Sequence, residues 1–249
     1  MMLSSAGTED TMYRVSSLDL ERLINISPSS YSNSLTETKC VASTPIPSPL
    51  VTLPHLLFTD RSHFIINSTI ITRSEVELNS EGVSRPSSVL LRDPIYNGIV
   101  SITISLLSLT RVNHQVGGIR FGFFDSTAPF PKVGEVLGCD VKDSVSISSS
   151  TGLLWHKSPS AQNTPQYESC HFFLKEGDCV RMEVDMDSTP RTVQFFLNGN
   201  NGRYFVSGLP PSVRIGFSVS GQGTSWRIDR IIQLERSTPL APEIKELNW

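Results

Sequence analysis

From about Leu56 onward the chain is written in short runs whose apolar residues fall at every second position, and that feature alone excludes most architectures. Val100-Ser101-Ile102-Thr103-Ile104-Ser105-Leu106 alternates without a break. Ile119, Phe121 and Phe123 share one face of the next run, with Arg120 and Gly122 between them. In Val180-Arg181-Met182-Glu183-Val184-Asp185-Met186-Asp187 the apolar residues take one face and every charge takes the other. The same pattern returns at 192–197, at Val213, Ile215, Phe217 and Val219, and at Trp226 and Ile228. Period two marks a strand with one face in a core, and helical periodicity is absent here. Strands of a parallel sheet buried on both faces would instead read as unbroken apolar runs. Half-polar alternation, punctuated by Gly, Pro, Asn and Asp, predicts an all-β fold: an antiparallel two-sheet sandwich of the jelly-roll kind.

The first 54 residues follow another rule. Ser16 and Asp19 have capping-box spacing, and Val15 with Leu20 can form a hydrophobic staple, so a short helix is expected over 17–25. After it, Ser, Thr and Pro dominate up to Pro54, a composition that buries too little apolar surface to offset the entropy of ordering. The expected organisation is a Ser/Thr/Pro-rich arm over 1–54, a β-sandwich over 55–235 and a C-terminal tail over 236–249.

Charge narrows the partners. The 249 residues carry 21 Lys+Arg against 24 Asp+Glu, a net charge of −3, with no basic stripe for a phosphate backbone to neutralise. Nucleic acid is therefore excluded as a partner at this stage. Membranes are too, because no run approaches the ~20 apolar residues of a membrane span. The first residues lack the basic flank and apolar stretch of an export signal, so an intracellular, cytoplasmic location with reduced thiols is expected for Cys40, Cys139, Cys170 and Cys179.

Turn chemistry supplies the more specific signals. Gly177-Asp178 suits a tight turn in which glycine provides a positive φ and aspartate bonds back to the chain. Asn198-Gly199 between two β-like runs is the preferred type I′ hairpin pair. The succession Leu174-Lys175-Glu176-Gly177-Asp178-Cys179-Val180, then Glu183-Val184-Asp185-Met186-Asp187, then Val193-Gln194-Phe195-Phe196-Leu197-Asn198-Gly199 resembles the central signature of the SPRY domain. Gly152-Leu153-Leu154-Trp155-His156 and Ile119-Arg120-Phe121-Gly122-Phe123 resemble strands that precede it in that family, and Gly202-Arg203-Tyr204-Phe205 and Pro211-Ser212-Val213-Arg214-Ile215-Gly216 follow in the expected order. Where the family carries a Trp/Tyr-Gly pair before its counterpart of Gly152, this chain has Ser148-Ser149-Ser150-Thr151. The resemblance spans about 56–235. It implies a concanavalin-like sandwich serving as a non-catalytic adaptor, with loops at one rim reading a protein or peptide ligand. The candidate loops are 124–133, 155–170 and 198–204, and their candidate contact residues are Phe130, Trp155, Tyr167, Arg203 and Tyr204. Aromatic and arginine anchors of this kind are enriched in binding hot spots.

Enzyme chemistry finds one foothold. Glu183, Asp185 and Asp187 leave the same face of one strand, as paired carboxylates of sandwich glycoside hydrolases or sugar-binding metal sites do. A carbohydrate-binding or glycoside-hydrolysing protein is thus the alternative. The preferred expectation is a solvated acidic face, or Asp187 capping the turn at Ser188-Thr189-Pro190. Neutralising Glu183 and Asp187 together should then leave partner capture intact and raise stability slightly. Cys170-His171 are neighbours on one run and face opposite sides, so they do not form a catalytic pair. No Gly-x-Ser-x-Gly elbow or phosphate loop is present, and neither cofactor nor metal is expected.

Overall fold

The computed structural model describes residues 56–59, 62, 64–67, 76–80, 85–109, 111–112, 115–116, 118–158, 165–169 and 174–249. The arm expected over 1–54, its helix, Cys40, Cys170 and His171 lie outside the described residues.

The alternating runs become strands of two sheets, numbered here in chain order. One sheet holds β1 (Leu56–Phe58), β4 (Ser87–Leu91), β8 (Ile119–Asp125), β9 (Ser144–Ser148), β10 (Leu153–Lys157), β11 (Gln166–Ser169) and β15 (Val213–Val219), in the spatial order β1-β4-β15-β8-β9-β10-β11. The other holds β2 (Phe64–Asn67), β3 (Val76–Ser80), β5 (Ile99–Ser108), β12 (Cys179–Asp185), β13 (Thr192–Leu197), β14 (Asn200–Ser207), β16 (Ser225–Leu234) and β17 (Lys245–Asn248), in the order β17-β14-β13-β12-β5-β16-β3-β2. A two-residue hairpin, β6 (Arg111–Val112) with β7 (Gln115–Val116), stands apart. Neighbours in both sheets are antiparallel except β17, which joins β14 in parallel. The chain is an all-β, two-sheet sandwich.

Alternation decides the core. Ile102, Ile104 and Leu106 of β5, Val180, Met182 and Val184 of β12, and Val193 and Phe195 of β13 turn inward to meet Phe121, Phe123, Ile215 and Phe217 from the facing sheet. The Phe121 and Phe217 rings stack at 5.1 Å between centroids. Phe196 points to the other face, as alternation requires, and lies under the Arg181 guanidinium at 3.6 Å. The turns follow their residue types. Gly177 has φ 84°, and Asp178 Oδ2 accepts from the Lys175 amide at 2.8 Å. Asn198 and Gly199, at φ 50° and 83°, close the β13–β14 hairpin with Leu197 opposite Asn200.

The polar alternates of the strands are buried under crossing segments. On the first sheet, residues 126–143 pass over Ser144, Ser146 and Ser218, all of them buried. Those hydroxyls serve the backbone of the segment above: Ser144 Oγ accepts from Gly138 N at 2.7 Å, Ser218 Oγ from Leu137 N at 3.2 Å, and Ser146 Oγ donates to Leu137 O at 2.7 Å. A loop carried over a sheet needs such partners for its own amides and carbonyls. Gly216 of β15 leaves the hollow that this segment's Leu137 fills, since a Cβ there would sit 2.9 Å from Leu137 Cδ1, while a Cβ on Gly122, opposite it on β8, would run into the backbone of Val145 and Ser146 on β9.

On the second sheet the chain after β16 crosses the outer face near Glu183 and Gln194. Residues 236–249, expected as a tail, are part of the sandwich, because Leu247 packs against the core and β17 extends the sheet edge. Lys245-Glu246-Leu247-Asn248-Trp249 alternates like the other strands.

Candidate functional site

Exposed and incompletely partnered side chains collect where β10 and β11 approach β14 and β17. β11 is the last strand of its sheet among the described residues, and all four of its residues are exposed. Tyr167 is the cross-strand partner of Trp155, their rings 5.1 Å apart and tilted by 43°, and Tyr167 is 60 % exposed. On the other side of Trp155 stands Arg120 of β8, its guanidinium 4.8 Å from the indole centroid. The strand between them, β9, places only Ser146 and Ser148 at that level, opposite Trp155 and Arg120 respectively. Side chains that short let residues two strands apart meet. Arg120, Trp155 and Tyr167 thereby form one continuous row on the outer face of the sheet.

The row is fixed at its Arg120 end by the crossing segment 126–143. Arg120 Nη1 donates to Cys139 Sγ at 3.0 Å and, at 3.5 Å, to Leu137 O. Burial lowers the guanidinium from its ordinary value, an effect opposed by Cys139 and Asp140. Burial likewise pushes the Cys139 thiol up, against the pull of Arg120, so this cysteine is not an activated thiolate.

Alternation sends the neighbours of this row to the opposite side. Glu168 follows Tyr167 and pairs with the core residue Leu154, and it accepts a hydrogen bond from Tyr204 Oη of β14 at 3.0 Å. That bond ties the two sheets together at their open edge. Beside it His156 is 2 % exposed, and among the described residues neither of its ring nitrogens has a hydrogen-bond partner. Trp249 covers it, with ring centroids 5.7 Å from His156 and 5.4 Å from Phe123.

The five residues singled out from the sequence do not form one rim. Trp155 and Tyr167 make the outer row. Tyr204 is half-buried against the core on the inner side, and Arg203 is exposed beside it on β14. Phe130 packs with Leu90, Phe124, Leu137 and Val141 beneath the crossing segment, away from the row. Arg120, Glu168, His156 and Trp249 were missed. Arg120 reads in sequence as a spacer between core residues, and Trp249 stands in the segment expected as a tail, although its alternation with Leu247 carries the strand signal.

No protein-family model matches this chain, and no curated protein matches it. Among solved structures it is similar to the SPRY domain of human HERC1, at 14 % identity and TM-score 0.47, covering 72 % of this chain and 99 % of that one. It is similar to the carbohydrate recognition domain of Emp46p in its potassium-bound form, at 10 % identity and TM-score 0.47, covering 74 % and 89 %. It is also similar to the exoplasmic/lumenal domain of VIP36 in its Ca2+/Man-bound form, at 14 % identity and TM-score 0.45, covering 74 % and 85 %.

The acidic strand differs from its expectation. Glu183 is 1 % and Asp185 6 % exposed, so two of the three carboxylates are buried rather than solvated. Glu183 accepts from Arg181 Nη1 at 2.8 Å, from the Thr238 amide at 2.5 Å and from Thr238 Oγ1 at 2.8 Å. Asp185, not Asp187, caps the turn, accepting from the amides of Asp187 at 3.0 Å and Ser188 at 2.8 Å. Asp187 accepts instead from the Gly98 amide at 2.8 Å. The cause is the crossing segment: its backbone amide and hydroxyl replace water around Glu183. Among the described residues no group of three or more His, Cys, Asp and Glu side chains is placed to hold a metal ion.

Proposed function

We propose that the chain is a non-catalytic, SPRY-like interaction module that binds a protein or peptide ligand at the β10–β11 edge. Trp155 and Tyr167 are its aromatic anchors, and Arg120 is the charged group beside them. The observation that carries this reading is Tyr167, a large aromatic more than half exposed, tilted against Trp155 and standing on the last strand of its sheet among the described residues, all four of whose residues are exposed. Aromatic and arginine side chains supply large contact area at low entropic cost and dominate binding energetics. An edge strand also presents backbone groups to which an extended segment can pair. Against hydrolysis of sugars stand Glu183 and Asp185, whose carboxylates are committed to backbone amides and Arg181. A catalytic acid needs a carboxyl facing substrate.

The test compares capture by the wild-type chain, Tyr167→Ala and Tyr96→Ala, the last removing an aromatic that is 67 % exposed and outside the row. Protein partners identified by quantitative mass spectrometry should be lost with Tyr167→Ala and retained with Tyr96→Ala. Glycan-array binding by the wild type that is lost with Tyr167→Ala would establish the carbohydrate alternative and overturn this reading.

A further inference from the structure

The opposite side of the same edge carries a second site, already occupied by the chain itself. We propose that β14 and the hollow formed by Phe123 and His156 accept an extended peptide bearing an apolar residue and, two positions later, a tryptophan, and that residues 245–249 are a displaceable ligand of this site held in cis.

The seated segment defines the chemistry. It adds to β14 as a parallel strand, with Leu247 opposite Val206 and Asn248 opposite Ser207. The Trp249 amide continues the ladder to Ser207 O at 2.9 Å. Leu247 and Trp249 face the core at alternate positions, while Ser207 Oγ reaches the side chains of Glu246 at 2.5 Å and Asn248 at 3.2 Å. This is recognition by strand addition, in which main-chain bonds give affinity and pockets for alternate side chains give specificity.

Two observations mark a binding site rather than ordinary core. The first is His156. A histidine this deeply buried normally has a hydrogen-bond partner, yet among the described residues both its nitrogens lack one, and the ring faces the position Trp249 fills. The second is the edge placement of the occupant. β17 is four residues long, parallel, at the sheet edge, and three of its four residues are exposed. The firm attachment lies upstream, where Thr238 is bonded to Glu183 and its carbonyl accepts from Gln194 Nε2 at 2.7 Å. Release of 245–249 would leave that clamp closed and the segment tethered nearby. An intramolecular occupant competes at an effective concentration of the order of mM for a short tether, so a peptide in trans sees an affinity reduced by the unoccupied fraction.

The experiment uses the full chain and a fluorescein-labelled synthetic peptide of residues 243–249, Glu-Ile-Lys-Glu-Leu-Asn-Trp. By fluorescence anisotropy, Trp249→Ala, whose pocket is empty, should bind the peptide at least about tenfold more tightly than the wild type. A peptide with alanine in place of tryptophan should lose that binding. Equal or absent binding to the wild type and to a folded Trp249→Ala chain overturns the proposal. Should Trp249→Ala fail to fold, hydrogen exchange on the wild type decides. The amides of Leu247 and Trp249 should lose protection as unlabelled peptide is raised to millimolar concentration, and unchanged protection refutes displacement. Failure here leaves the Tyr167 comparison unaffected, because that row lies on the other face of β11.

Discussion

Replacing Glu183 by glutamine tests whether the segment after β16 is held by a buried carboxylate. The substitution keeps the shape and removes the charge. Glu183 Oε2 takes two donors, Arg181 Nη1 and Thr238 Oγ1, while Oε1 takes the Thr238 amide. A glutamine can keep one oxygen for the amide, and its NH2 group then faces the Arg181 donor. One charge-assisted hydrogen bond is lost, at about 1.5–3 kcal/mol. Breaking a fully buried ion pair costs ~3–5 kcal/mol, but the Arg181 side chain is 25 % exposed and regains hydration, so the lower range applies. The expected loss is about 2–3 kcal/mol, which lowers the thermal midpoint by roughly 5–10 °C in a domain of this size. Thr238→Val removes only the hydroxyl bond and should cost about 1 kcal/mol, and the double variant should cost less than the sum because both act on one carboxylate. Urea and thermal unfolding of the four chains measure this. A Glu183→Gln midpoint within about 1 °C of wild type, less than 1 kcal/mol produces, would refute the clasp. The slight stabilisation that a solvated acidic face implied is reversed in sign.

Other expectations follow from the same packing. Phe195→Ala should cost ~3–5 kcal/mol by denaturant unfolding, because the ring is 2 % exposed in the inter-sheet core. Gly216→Ala should cost upward of roughly 1–3 kcal/mol through overpacking, since its Cβ would press on Leu90 and Leu137, and Leu137→Ala in the same chain should recover part of the loss in a thermal melt. Stability should fall on acidification below about pH 6.5. Burial lowers the His156 pKa from its ordinary 6.5, so the unfolded chain binds its proton first, and stability is full above 6.5 and declines as pH drops toward the folded value. No charged group contributes to that shift, and the Phe123, Val145 and Trp249 side chains around the ring do not titrate. The carboxylate on the adjoining strand, Glu168, is bonded to Tyr204. His156→Phe should flatten this part of the midpoint-versus-pH curve between pH 5 and 7.5, and an unaltered slope would contradict the assignment.

Strand positions were legible in the sequence because each depends on local information. Period two identified β5, β8, β12, β13 and β15, and residue type identified the turns at Gly177-Asp178 and Asn198-Gly199. What covers the second face of a sheet is a long-range fact. Glu183 and Thr238 are 55 residues apart, so nothing near Glu183 distinguishes a buried carboxylate from a solvated one. The same holds for the row of Arg120, Trp155 and Tyr167, which three different strands contribute. Only Trp155 and Tyr167 stood out, as aromatics beside loops, whereas Arg120 joined them because β9 puts serines between. Phe130 misled for the converse reason: an aromatic in a loop reads as exposed, but this loop folds back over its own sheet.

That folding back also determines where binding can occur. The middle of each sheet carries a segment on its outer face, 126–143 on one and the stretch around Thr238 on the other, both anchored to buried polar side chains. Removing either would take away the partners of Ser146 Oγ and Gln194 Nε2 and leave Ser218 with Ser88 and Glu183 with Arg181 alone, at about 1–3 kcal/mol for each lost neutral partner and more for the carboxylate. A ligand cannot displace such a segment without replacing those bonds. The β10–β11 and β14–β17 edge is built differently. There Tyr167 is exposed, His156 has no hydrogen-bond partner among the described residues, and β17 leaves by breaking a short parallel ladder, the Ser207 side-chain bonds and the Leu247 and Trp249 contacts. Of the described surface, this edge is where association with another chain meets the least internal opposition.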